Sequence, residues 1–98
     1  MSAPVRLTAQ QIAMAMLRLP EWNLAKNATR IQRSIKFHSF NDAFGFMTRV
    51  ALHAEKCDHH PNWSNVYNNV DIELWTHDVS GISQKDVEMA LFIDSTQT

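Results

Sequence analysis

Two stretches of alternating residues in this chain double back on themselves, and a long helical stretch separates them. Residues 22–26 (WNLAK) and 29–37 (TRIQRSIKF) read as strands joined by a turn at Asn27-Ala28. In the second strand Ile31, Ile35 and Phe37 fall on one face with Arg33 as a polar intruder, while Gln32, Ser34 and Lys36 take the other. Residues 63–68 and 70–76 read as a second hairpin around Asn68-Asn69, because Asn tolerates the positive φ that a tight hairpin turn needs. On its second strand Ile72, Leu74 and Thr76 share one face, and Asp71, Glu73, Trp75 and His77 the other. Hairpins join antiparallel neighbours, so two of them exclude a simple βαβ repeat.

Helices surround these hairpins. Thr8 with Gln11 fits a capping box, and Ile12, Ala13, Met16 and Leu17 follow at helical spacing until Pro20 stops the run, so residues 9–18 are expected to be helical. Ser39 opens a longer helix with Asp42 in its first turn. Phe40, Ala43, Phe44, Met47, Val50, Ala51 and Ala54 make its apolar stripe, and Phe46 and Leu52 lie off that stripe. A helix apolar on more than one face is buried on more than one side, which points to a subunit interface; scattered surface apolar residues are the plainer alternative. Pro61 requires the helix to end before it. Ser83 with Asp86 caps a last helix carrying Val87, Ala90 and Leu91, with Met89, Phe92 and Ile93 beside them. The order α-β-β-α-β-β-α predicts one α+β domain over residues 1–98, a four-stranded antiparallel sheet with three helices packed on one face.

Size and charge narrow the function. A chain of 98 residues supports one core and leaves little material for a deep private cleft. Nine basic against ten acidic residues give no field that would draw it directly to nucleic acid or to a membrane surface. Cys57 is the sole cysteine, so an intramolecular disulfide is excluded. No apolar run approaches a membrane span, and the start MSAPVRLTAQ lacks an apolar signal core. A cytoplasmic protein, or one that is also nuclear, is the expectation.

The segment KCDHHPNW, residues 56–63, concentrates titratable groups. With Asn68 and Asn69 as the two turn residues, extending the hairpin ladder places His60 across from His77. Asp86 comes within reach because few residues separate His77 from Ser83, and Glu55 lies one helical turn before His59. Three histidines and several carboxylates are thus expected at one end of the second hairpin. Neutral imidazole is a natural proton-transfer group near pH 7, and a neighbouring carboxylate fixes its tautomer.

Two other readings stand beside this one. His53 and Cys57 are spaced i, i+4 and are followed by His59 and His60, which resembles a zinc ligand set. Adjacent histidines rarely converge on one ion, however, and no CxxC or HExxH spacing is present. The third reading is a polar loop without chemistry, in which His53 is a surface or interface residue, Cys57 a small buried thiol and His38 a structural strand-end residue.

The stretch AEKCDHHPNWSNVYNNVDIELWTHDVSGISQKD resembles the pterin-4a-carbinolamine dehydratase family. Glu55, Lys56, Asp58, His59, His60, Pro61, Trp63, Asn65, Val66 and Tyr67, then Thr76, His77, Gly81, Ile82, Ser83 and Asp86, match its motif in order and spacing. LPEWNL and FHSFNDAFGFMTRVAL upstream are also similar, so the resemblance covers all but the extreme ends. It implies dehydration of 4a-hydroxytetrahydropterin to quinonoid dihydropterin, the recycling step after aromatic amino-acid hydroxylation, with no metal and no cofactor. By the same resemblance His59, His60 and His77 are the functional histidines, with His59 and His77 expected to move protons and His60 to hold the pterin. Glu55, Asp58, Pro61, Thr76 and Asp86 would support that set, and Trp63 would be an aromatic wall or core filler. The family also implies a homodimer or homotetramer and, as the alternative function, a dimerisation cofactor for a homeodomain transcription-factor partner.

Overall fold

The computed structural model describes residues 3–97. Its elements run α1 (Ala9–Met16), β1 (Asn23–Ala25), β2 (Arg30–Lys36), α2 (Phe40–Cys57), β3 (Asn62–Val66), β4 (Asn69–Leu74) and α3 (Gln84–Ser95), with a short 3₁₀ turn at His77–Val79. The expected element order and α+β class are those of the structure. The four strands form one antiparallel sheet in the order β1-β2-β4-β3. No helix among the described residues is long and apolar enough to cross a membrane.

Alternation decides which face the helices cover. Ile31 and Ile35 of β2 and Val70, Ile72 and Leu74 of β4 are buried, while their neighbours along each strand are exposed or partly so. Against this face lie Ala43, Phe46, Val50 and Ala54 of α2 and Val87, Met89, Ala90 and Ile93 of α3. Arg33, the intruder in β2, points the same way and is neutralised there. Its guanidinium bonds Asp94 Oδ1 at 2.5 Å, and the same oxygen accepts from buried Trp22 Nε1 at 2.7 Å. One carboxylate of α3 thus fastens both the strand and the segment entering β1.

Three expectations need correction. α2 uses only part of the stripe assigned to it: Ala43, Val50 and Ala54 are buried and Met47 packs on the core, but Phe40, Phe44 and Ala51 are exposed, and Phe46, placed off the stripe, is fully buried beside Phe37. The apolar arc is broad, running from Phe46 through Ala43 and Met47 to Phe44, so composition alone did not say where its buried centre fell. α1 ends at Met16, two residues short, and of its four expected apolar contacts only Ile12 is buried and Met16 partly so. The first hairpin does not turn on a two-residue Asn27-Ala28: Ala25 pairs with Arg30, and Lys26, Asn27 and Ala28 all take positive φ.

The second hairpin also turns earlier than expected. Val66 pairs with Asn69, so the turn residues are Tyr67 and Asn68, and Tyr67, not an asparagine, takes the positive φ of 51°. The asparagines hold this turn through their side chains. Asn65 Nδ2 donates to the carbonyls of Tyr67 and Asn69, and Asn68 Nδ2 to that of Phe37. The register shift is two residues, so every side chain keeps its expected face. It does change the partners: the ladder stops at Asn62–Glu73, and His60 does not oppose His77.

Candidate functional site

The first two histidines are aimed by the way α2 stops. Asp58 adopts the left-handed conformation at φ 53°, its N–H donating to Glu55 O and that of His59 to Ala54 O at 3.1 Å. These bonds satisfy carbonyls the helix end would leave open and turn the chain sharply toward β3. Pro61 then fixes an extended entry into the strand. Asp58, His59, His60 and Pro61 all line a cavity of about 510 Å³ at this end of the sheet.

The third histidine arrives from the other strand. Thr76 and Gly81 form an isolated antiparallel bridge, closing a small loop around the 3₁₀ turn that begins at His77. A Cβ at Gly81 would meet Arg6 Nε at 2.8 Å, so the glycine lets the N-terminal segment cross here. Thr76, His77 and Trp75 line the same cavity. The expected convergence of His59, His60 and His77 therefore occurs, by loop closure and not by strand opposition.

Asp86 is the best-connected polar group of the region. It is completely buried, and its Oδ2 accepts from Ser83 N at 2.9 Å and Thr76 Oγ1 at 2.8 Å. Its Oδ1 meets His59 Nε2 at 2.6 Å. A carboxylate only accepts, so the shared proton belongs to Nε2 and the lone pair of neutral His59 lies on Nδ1. The hydroxyls are ordered by the same rule. Thr76 O–H donates to Asp86, Ser83 Oγ lies 2.6 Å from Thr76 Oγ1 and therefore donates to it, and Lys85 N–H fills the vacant acceptor on Ser83 at 3.2 Å. Asp86 is at once the third-position partner of the Ser83 capping box on α3 and the anchor of His59.

His60 has the looser carboxylate. Its Nε2 meets Glu55 Oε2 at 2.5 Å, but both side chains are largely exposed. Trp63, expected as wall or filler, sits on β3 opposite Ile72 and packs against the core, away from the histidine cavity. The aromatic residue on that cavity is Trp75. Its parity with His77 was the available signal. Ser83 was read as a cap, and its link to Thr76 had no signal in sequence.

His53 and Cys57 pair with each other at 3.3 Å, and the His53 ring stacks on Phe92 with centroids 3.7 Å apart. Cys57, the last residue of α2, is exposed, contrary to the expected buried thiol. His59 and His60 direct their Nε2 atoms to carboxylates, not toward this pair. Among the described residues no three His, Cys, Asp or Glu side chains are grouped to hold a metal ion.

The family model described as pterin 4 alpha carbinolamine dehydratase matches residues 5–96. A protein of Burkholderia multivorans named "Putative pterin-4-alpha-carbinolamine dehydratase" is 50% identical over 90 residues, covering 92% of this chain and 88% of its own. One of the same name from Paraburkholderia xenovorans is 48% identical over 90 residues, covering 92% of this chain and 94% of its own. A crystal structure described as a transcriptional coactivator/pterin dehydratase from Brucella melitensis superposes with a TM-score of 0.90 at 43% identity, covering 93% of this chain and 97% of that one. With the fold, the histidine cavity and a match over nearly its full length in agreement, the chain belongs to the pterin-4-alpha-carbinolamine dehydratase family.

Proposed function

We propose that the chain dehydrates 4a-hydroxytetrahydropterin to quinonoid dihydropterin and water. The observation that carries this reading is the anchored acid–base set: His59 locked on buried Asp86, with His60 and His77 on the same cavity. The reaction breaks the C4a–O bond and the N5–H bond and makes the N5=C4a double bond. An acid delivers a proton to the departing hydroxyl, and a base takes the N5 proton. Nothing is oxidised, and water is the sole by-product. His59 offers Nδ1 in a fixed direction because Nε2–H is committed to Asp86. His77 lines the same space and is exposed to solvent. His60, held by Glu55 at the rim, serves the ring as a hydrogen-bonding partner. Thr76 and Asp86 orient this set from behind, and Asp58 and Pro61 shape its mouth.

Stopped-flow dehydration of a 4a-hydroxytetrahydropterin by purified protein tests this, with and without chelator. The wild type should accelerate the reaction equally in both. His59→Ala and His77→Ala should each lower kcat about 10²-fold or more, the usual range for a lost acid or base. His60→Ala should chiefly raise KM. No acceleration by the wild type would overturn the activity, and a kcat loss largest in His60→Ala would overturn the division of roles.

A second reading concerns α2. Phe40, Phe44 and Leu52 are exposed on it, Leu52 to 69%. Large apolar side chains left exposed on one helix, two of them in ring contact, suit an interaction surface. It supports self-association into a homodimer or homotetramer. The Brucella neighbour is described as a coactivator as well as a dehydratase, which supports a transcription-factor partner for this surface, with no direct nucleic-acid contact. Light scattering that finds only monomer would remove the self-association reading.

A further inference from the structure

The acid–base reading leaves one wall of the cavity unused. Trp75 lines it, yet it follows the outward parity of Asp71 and Glu73 on β4 and takes no part in the buried core. Its indole is held on two sides. The Arg30 guanidinium carbon sits 3.8 Å from the ring centroid, and Arg30 is itself tied to Glu73 at 3.0 Å. The His77 ring lies 4.7 Å away, tilted by 42°. A large flat side chain outside the core, braced by a cation, touching a cavity histidine and lining the cavity, is suited to hold a flat ring.

We propose that Trp75 is the stacking wall of this site, against which the flat heterocycle of the substrate rests, with Arg30 as the residue that positions the indole. The inference rests on the dehydratase reading and adds to it the group that binds the ring. Trp75 touches substrate in ground state and transition state alike, so it contributes uniform binding: its loss raises KM and leaves kcat nearly unchanged. Arg30 acts through Trp75, so its loss moves KM in the same direction by less.

The test compares wild type with Trp75→Phe, Trp75→Leu, Trp75→Ala and Arg30→Ala, using calorimetric titration with 7,8-dihydropterin and steady-state dehydration. Thermal midpoints check that each variant is folded. Trp75→Ala and Trp75→Leu should raise Kd and KM about tenfold, within the span that stacking on an aromatic side chain covers, with kcat changed less than about threefold. Trp75→Phe should recover most of the affinity, which a merely space-filling role would not separate from leucine. If Trp75→Ala does not fold, the phenylalanine–leucine pair decides. Wild-type constants in Trp75→Leu would overturn the proposal while leaving the dehydratase reading intact. A wild type that neither binds 7,8-dihydropterin nor dehydrates would overturn both.

Discussion

His59 and His60 are neighbours in sequence, and each bonds a carboxylate through Nε2, yet the two pairs are physically unlike. His59 and Asp86 are 11% and 0% exposed, whereas His60 and Glu55 are 53% and 78% exposed. Asp86 comes from 27 residues away and is fixed by Ser83 and Thr76, while Glu55 lies five residues back on the helix that leads into the loop. The first pair fixes a direction at little risk of rearrangement, because both oxygens of the buried carboxylate are bonded. The second is a rim contact that solvent and salt compete with. Adjacent histidines thus gain different chemistry from what stands behind them, which is the physical basis for giving them different roles.

The largest expected effect comes from breaking the buried pair. Asp86→Ala strands the Ser83 N–H, the Thr76 hydroxyl and the His59 ring in one place, and should cost about 3 kcal/mol or more in chemical denaturation. Asp86→Asn keeps the shape but allows the wrong His59 tautomer, so kcat should fall about 10²-fold or more while the fold survives. If Asp86→Asn turned over like wild type, the anchored His59 would lose its claim to proton transfer. Thr76→Val removes one donor to Asp86 and should cost about 1–2 kcal/mol, with activity reduced by less than in Asp86→Asn. Glu55→Ala, at the exposed pair, should change stability by no more than about 0.5 kcal/mol and raise KM modestly, the difference shrinking in high salt. Equal losses from Asp86→Asn and Glu55→Ala would erase the contrast between the two pairs.

Much of the fold was legible because its signals are local. Capping at Thr8, Ser39 and Ser83, the stop before Pro61 and the alternation in β2 and β4 each act within a few residues. The faces of β4 also held, since a two-residue register shift preserves parity. The turn itself was misplaced because Tyr67 carries a left-handed conformation that residue type disfavours, made tolerable by side-chain bonds from Asn65. The buried arc of α2 was misjudged at Phe46 for a related reason. When the apolar arc of a helix is broad, the sheet it meets selects the inward line.

The sequence by itself determined the element order, the antiparallel sheet and which histidines and carboxylates were candidates, because those depend on period, caps and spacing. Only the tertiary structure decided that His59 belongs to Asp86 and His60 to Glu55, that Trp63 is core filler while Trp75 stands on the cavity, and that Cys57 is exposed. Those outcomes turn on where a left-handed residue ends a helix and where a loop closes. Such long-range placements follow from packing α2 and α3 on one sheet, which no window of a few residues contains.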